Sequence, residues 1–306
     1  MSTASLTRNV VFRRFHLVAA TCLLLLAGMA SSQAQLNVRA NMARKLFLAG
    51  ETIPVEVTMT NLAGREVLLR SNTMAPWLGF EIKTADGQMV PMKASRPEMQ
   101  DLTMQTGETL RRLVKVSEFF PLQQAGDYVV RAWVYFADLK TYLYSGDMKF
   151  TVAPGRTIWT ETVGVPLDQP DGGSYRVYEV QTLQEVDRMR IYALVKGRSN
   201  GQILQCFTLG NAISVVNPQA AVDSQNQMHV LYMSGPQLLH HVIVRYDGSL
   251  VASDKYRVSD RYPRLVRNEA GEVGVIGGVR MTVATLPTDP ATGEAKMPPM
   301  LTDRPE

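Results

Sequence analysis

Apolar side chains occupy every second position of Asp127-Tyr-Val-Val-Arg-Ala-Trp-Val-Tyr-Phe136. Successive side chains of a strand point to opposite faces of a sheet, so a period of two requires a half-buried strand and excludes a helix. Tyr128, Val130, Ala132, Val134 and Phe136 form the inward set. The same period runs through Thr52-Ile-Pro-Val-Glu-Val-Thr-Met-Thr60 and stops at the turn Asn61-Leu-Ala-Gly64. Further strands are expected at Arg65–Arg70, Gly79–Lys83, Thr109–Val116, Thr141–Tyr144 and Met148–Val152. Gly79–Lys83 and Gln88–Val90 flank Ala85-Asp-Gly87, and Asp-Gly is a strong hairpin signal. Seven or eight short strands in about 117 residues is the number a β-sandwich needs.

Two stretches carry a resemblance. Ala49-Gly-Glu-Thr-Ile-Pro-Val-Glu-Val-Thr-Met-Thr-Asn61 resembles the second strand of secreted bacterial immunoglobulin-like domains. Phe119-Phe-Pro-Leu-Gln-Gln-Ala-Gly-Asp-Tyr-Val-Val130 resembles the approach to their penultimate strands. The resemblance implies an immunoglobulin-like sandwich over residues 36–153, with Tyr128 as a tyrosine corner whose ring enters the core. The chain departs from antibody-type domains in lacking an inter-sheet cysteine pair. The resemblance implies a fold and no particular function, because this sandwich hosts many unrelated roles.

Residues 154–174, rich in Pro, Gly and Asp, are expected to be a linker, although Arg156–Gly164 can also be read as a strand. Residues 175–285 are expected to form a smaller β-rich domain. Pro218–Tyr232 and Pro263–Gly277 each read as Pro, strand, polar turn, strand, and this spacing resembles β-propeller blades. Too few units fit for a closed propeller, so a small blade-like sheet is expected. Residues 286–306 have the composition of a disordered tail. The expected class is therefore all-β throughout.

At the N-terminus Arg8, Arg13 and Arg14 precede the apolar run Leu17–Gly28, and Ser31-Ser-Gln-Ala34 follows it. The run is shorter than the roughly 18–20 residues of a spanning helix. Residues 1–34 are thus expected to be a cleaved signal peptide, with a retained anchor as the alternative. A secreted or periplasmic protein follows, with no stable membrane insertion after cleavage. The chain has 32 basic and 28 acidic residues, and the three N-terminal arginines account for most of the excess. What remains is close to neutral and implies neither nucleic acid nor an anionic membrane as partner. Cys206 is the only cysteine outside the N-terminal segment, so no disulfide supports the fold. Its neighbours Ile203-Leu-Gln and Phe207-Thr-Leu209 place it on a strand as a buried, inert thiol.

No nucleophile motif stands out, and there is no H-E-x-x-H and no P-loop. His229, His240 and His241 are the histidines beyond the N-terminal segment, and a hairpin through Gly235-Pro236 brings His229 near one of the other two. Neighbouring strand residues face opposite ways, so His240 and His241 cannot share a metal, and ordinary strand histidines are the expectation. No cofactor is implied. The sharpest feature is the outward face of the alternating strand. A four-residue loop at Ala137–Lys140 would pair Trp133 with Tyr144 and Tyr135 with Tyr142. Arg131, Trp133, Tyr135, Tyr142 and Tyr144 would then share one face, an apolar patch of the kind found at interfaces. It serves either as an internal packing surface or as a binding site for a protein or glycan. The function this implies is a non-catalytic binding or scaffolding protein of the envelope or extracellular space. The alternative is an exported hydrolase or a protease inhibitor presenting the Met92–Met104 segment, with Arg96, Pro97 and Met99, as its loop.

Overall fold

The computed structural model describes residues 36–281 except 72–75, 94–98 and 138–139. The expected signal peptide, the tail and the Arg96-Pro97 part of the expected inhibitory loop lie outside the described residues. The chain is all-β. Up to Ala153 its elements are β1 (Leu36–Asn41), β2 (Leu46–Leu48), β3 (Pro54–Asn61), β4 (Val67–Leu69), β5 (Leu78–Thr84), β6 (Leu102–Met104), β7 (Thr109–Lys115), the single turn α1 (Val116–Phe119), β8 (Gly126–Phe136), β9 (Thr141–Tyr144) and β10 (Met148–Ala153). Two compact units are present. Of the described residues, the first comprises Leu36–Lys45 with Ile53–Pro121 and Gly126–Thr151; the second comprises Leu46–Thr52, Leu122–Ala125 and Val152–Met281. Among the described residues no helix is long and apolar enough to cross a membrane.

In the first unit one sheet runs β1-β3-β7, and in another β10, β8 and β5 follow one another while β9 also pairs with β8. Alternation sets the faces. β3 buries Val55, Val57 and Met59, while β8 buries Tyr128, Val130, Ala132, Val134 and Phe136. Each buried Val, Met and Phe among them contributes about 1.5–3 kcal/mol by leaving water. Tyr128 has its ring in this core, stacked on Phe150 at 5.4 Å. Ser145 interrupts the run between β9 and β10. It is buried; its Oγ accepts from Ala132 N at 3.0 Å and its own N–H donates to Ala132 O at 2.9 Å. The side chain thus keeps the β8 amide satisfied where the neighbouring strand bends away. The far end of the expected inhibitory segment is not free loop: Leu102–Met104 pair with Val67–Leu69 as β6 on β4.

The second unit continues with β11 (Arg156–Gly164), β12 (Tyr175–Gln184), β13 (Met189–Gly197), β14 (Ile203–Ala212), β15 (Gln219–Val222), β16 (Met228–Gly235), β17 (Leu238–Val244), β18 (Leu250–Arg257), β19 (Arg264–Arg267), β20 (Val273–Ile276) and β21 (Val279–Met281). β11 to β14 make one antiparallel sheet; β15 to β18 make another, with β21 on β18, and β19 pairs with β20. The unit begins at Val152, and β11 falls inside the expected 154–174 linker, on the stretch Arg156–Gly164 that could also be read as a strand. A register shift between Thr157 and Trp159, near the start of β11, interrupts its pairing with β12. The repeat read from the sequence falls on matching hairpins. Asp223 N donates to Gln227 O at 3.0 Å and Asn268 N to Glu272 O at 2.9 Å. In return Gln227 N donates to Asp223 Oδ1 at 2.8 Å and Glu272 N to Asn268 Oδ1 at 2.8 Å. Val163, Tyr178, Val180, Ile191, Ala193 and Val195 from the first of these sheets pack with Val230, Tyr232, Val242 and Val244 from the second. Cys206 is buried in a smaller cluster with Leu48, Leu183, Tyr192 and Leu194.

Candidate functional site

The outward face of β8 forms as a contiguous set within the first unit. The β8–β9 register pairs Trp133 with Tyr144 and Tyr135 with Tyr142, as a four-residue connection requires. On its other edge β8 pairs with β5, which sets Gly79 opposite Trp133 and Glu81 opposite Arg131. An ideal Cβ on Gly79 would lie 2.2 Å from Trp133 Cζ2, so the indole rests directly on the glycine backbone. Trp133 meets Tyr142 edge-on at 5.1 Å between centroids. Tyr135 meets the same ring at 5.1 Å with the planes tilted by 49°. The Arg131 guanidinium lies 4.4 Å from the centre of the Tyr144 ring. Its fork is oriented by Glu81 Oε2 at 2.7 Å and by Asp147 Oδ1 at 3.8 Å.

The face is ordered yet open to solvent. Tyr142 is 43% and Tyr144 44% exposed, while Arg131, Trp133 and Tyr135 are half-buried. T-shaped and cation–π contacts hold the rings in place, each contributing about 0.5–1.5 kcal/mol. A rigid surface of large aromatics and one oriented arginine is suited to binding, since little side-chain entropy is lost when a partner covers it. Elsewhere on this unit a cavity of about 440 Å³ opens beside Lys45, Asp127 and Lys149 over the Tyr128–Phe150 stack. Its charges are of both signs and do not converge on one point.

The histidines separate as strand parity requires. His229 Nδ1 lies 3.1 Å from His241 Nε2, and His229 Nε2 lies 3.1 Å from Asp223 Oδ2. Both rings are buried, at 3% and 4% exposure. His241 Nδ1 has no hydrogen-bond partner. Burial, reinforced by His229, pulls the His241 pKa down to about 4. Among the described residues no group of three or more His, Cys, Asp or Glu could hold a metal ion.

His240 points the other way into a different chain of contacts. Its Nδ1 lies 2.8 Å from Tyr232 Oη and its Nε2 lies 2.7 Å from Ser253 Oγ. The Tyr232 hydroxyl also donates to Leu209 O. Reading along the sequence misses this set, because its members are brought together only by strand register. A second feature that reading passes over is Gly197-Arg-Ser-Asn-Gly201, which has the G-x-S-x-G spacing. That spacing marks a nucleophile only at a strand-to-helix elbow. Here it forms the β13–β14 turn, closed by Gly201 N donating to Gly197 O at 3.0 Å, and is a hairpin connection.

Comparison with known proteins adds little. No family model matches the chain, and no curated protein matches it. A solved structure described as "Crystal Structure of the Periplasmic Chaperone SfaE" aligns over 72% of this chain and 98% of its own, at 12% identity and a TM-score of 0.23. A likeness of that size carries no argument about this chain.

Proposed function

We propose that this chain is an exported binding or scaffolding protein of the cell envelope or extracellular space, and that it engages a protein partner through the aromatic face of its first unit. The observation that carries the reading is the set Arg131, Trp133, Tyr135, Tyr142 and Tyr144, locked by mutual contacts while two of its tyrosines remain open. Tyr, Trp and Arg are the residues that dominate protein interfaces energetically. The tilted and edge-on rings, with Arg131 on Tyr144, suit the irregular surface of a protein better than the flat face of a sugar. Export rests on the N-terminal sequence, with its basic, apolar and small-residue segments in order.

The test is capture of partners from the envelope fraction by the wild-type chain and by a Tyr142→Ser, Tyr144→Ser double variant. The variant gives up both Tyr142 ring contacts and the Arg131–Tyr144 contact, so some loss of melting temperature is expected and binding is compared well below both transitions, where each chain is folded. A partner retained by the wild type is expected to bind the variant about 30-fold or more weakly, the loss typical of an energetic centre. Equal binding by both chains removes the aromatic face from the account. Binding of a glycan rather than a protein overturns the class of partner.

A further inference from the structure

A serine, an imidazole and a phenol stand in line on one face of the second unit. β16–β17 register places Tyr232 opposite His240, and β17–β18 register places His240 opposite Lys255, with Ser253 two residues further along β18. Residues two apart on a strand share a face, so all four side chains emerge on the same side. The proton positions follow from donor counting. A phenol has one hydrogen, and Tyr232 gives it to Leu209 O, a carbonyl that can only accept. Tyr232 Oη therefore accepts from His240, which puts the imidazole proton on Nδ1. Nε2 is left with its lone pair facing Ser253 Oγ at 2.7 Å, so the serine hydroxyl is the donor there. Burial, with the Lys255 ammonium next in effect, lowers the His240 pKa and favours the neutral ring this polarity needs. Ser253 is exposed.

From this arrangement we infer that Ser253 is an activated nucleophile toward carboxylic esters, with His240 as its general base and Tyr232 as the residue that fixes the base's tautomer. A nucleophile hydrogen-bonded to a base that a third group orients is the pattern of covalent catalysis. Ser253 Oγ bonds to the ester carbonyl carbon while its proton passes to His240 Nε2. The carbon–oxygen bond to the leaving group then breaks, and that oxygen takes the proton from the imidazolium and departs as an alcohol. A water, deprotonated by the same nitrogen, attacks the acyl carbon, releases the carboxylic acid and returns the proton to Ser253. Lys255 beside the pair favours acyl donors that carry negative charge. The site lies on a different unit from the aromatic face and is independent of the binding function proposed for it.

The experiment uses p-nitrophenyl acetate with the full chain near neutral pH, following p-nitrophenolate release and locating the acetyl group by peptide mass spectrometry. The expected result is acetylation of Ser253 well ahead of the exposed turn residue Ser249. Ser253→Ala removes it, and His240→Gln slows it about 100-fold, the usual share of a positioned base. The rate is expected to rise with pH to a plateau whose midpoint lies below 6.5, the ordinary histidine value. Tyr232→Phe keeps the ring in the core and is expected to move that midpoint, which a purely structural role would not do. Ser253→Cys is expected to keep a base-dependent acetylation and serves as the folded control. Acetyl groups found only on lysines, equal labelling of Ser249 and Ser253, or a rate indifferent to His240→Gln overturns the inference.

Discussion

The indole of Trp133 rests where Gly79 has no side chain, and one methyl group decides whether it can stay there. Gly79 has no positive φ, so its role is space and not backbone freedom. Gly79→Ala would drive a Cβ into the ring or push the ring off β5. Overpacking of this kind costs about 1–3 kcal/mol, and the variant is expected to lose that much in a urea titration. The Asp223–His229–His241 group gives a second residue-scale expectation. The groups that act on His241 are His229 on β16, Asp254 and Tyr256 on β18, Arg280 on β21 and its chain neighbour His240, whose ring points the other way. In the folded chain His241 gains its proton only near pH 4, whereas in the unfolded chain it does so near 6.5. Between those values the unfolded state binds more protons, so stability falls as the pH falls, by about 3 kcal/mol in all, and the effect is flat below pH 4. Unfolding free energies measured from pH 7 to 4 are expected to show that slope and to lose most of it in His241→Asn.

At the scale of elements, Asn61 joins two connections of the first unit. It is fully buried, and its Nδ2 donates to Arg65 O at 2.8 Å, Met104 O at 3.0 Å and Gln105 O at 3.0 Å. Its Oδ1 accepts from Ala63 N at 2.9 Å. The end of β3 is thereby fastened to the β6–β7 connection. Asn61→Ala strands several buried polar groups and is expected to cost about 2–4 kcal/mol. Asn61→Asp is expected to be worse, since a carboxylate would face three carbonyl oxygens; thermal melts of both variants check the order. The sequence shows Asn61 as a turn residue but not as a clamp, because two of the three carbonyls it meets, those of Met104 and Gln105, lie more than forty residues away. The same limit separates what could be read from what could not. Strand parity in β8 and the length of the 137–140 connection are local, so the Trp133–Tyr144 and Tyr135–Tyr142 register was legible. The 45-residue recurrence was legible because both hairpins use an Asp or Asn turn of one length. β11 was legible as a strand alternative within the expected linker, whereas the Tyr232–His240–Ser253 line depends on two successive strand registers that no single segment reveals.

At the scale of the whole molecule, apolar burial in each unit carries the stability, and among the described residues there is no disulfide. Cys206 is buried and is expected to react slowly with a disulfide reagent until denaturant is added. The first unit is built of antiparallel sheets, a scaffold that leaves function to the surfaces it presents. Of those surfaces, the outward face of β8 and β9 combines rigidity, aromatic area and exposure, and the central claim is that a protein partner binds there. The most direct test is the affinity of a captured partner for wild type and for the Tyr142→Ser, Tyr144→Ser variant, measured beside their melting temperatures. An affinity loss of about 30-fold, measured at a temperature where both chains are fully folded, is the expected result. Unchanged affinity, or a loss that merely follows a large drop in melting temperature, contradicts it and makes the aromatic face part of the fold's own packing.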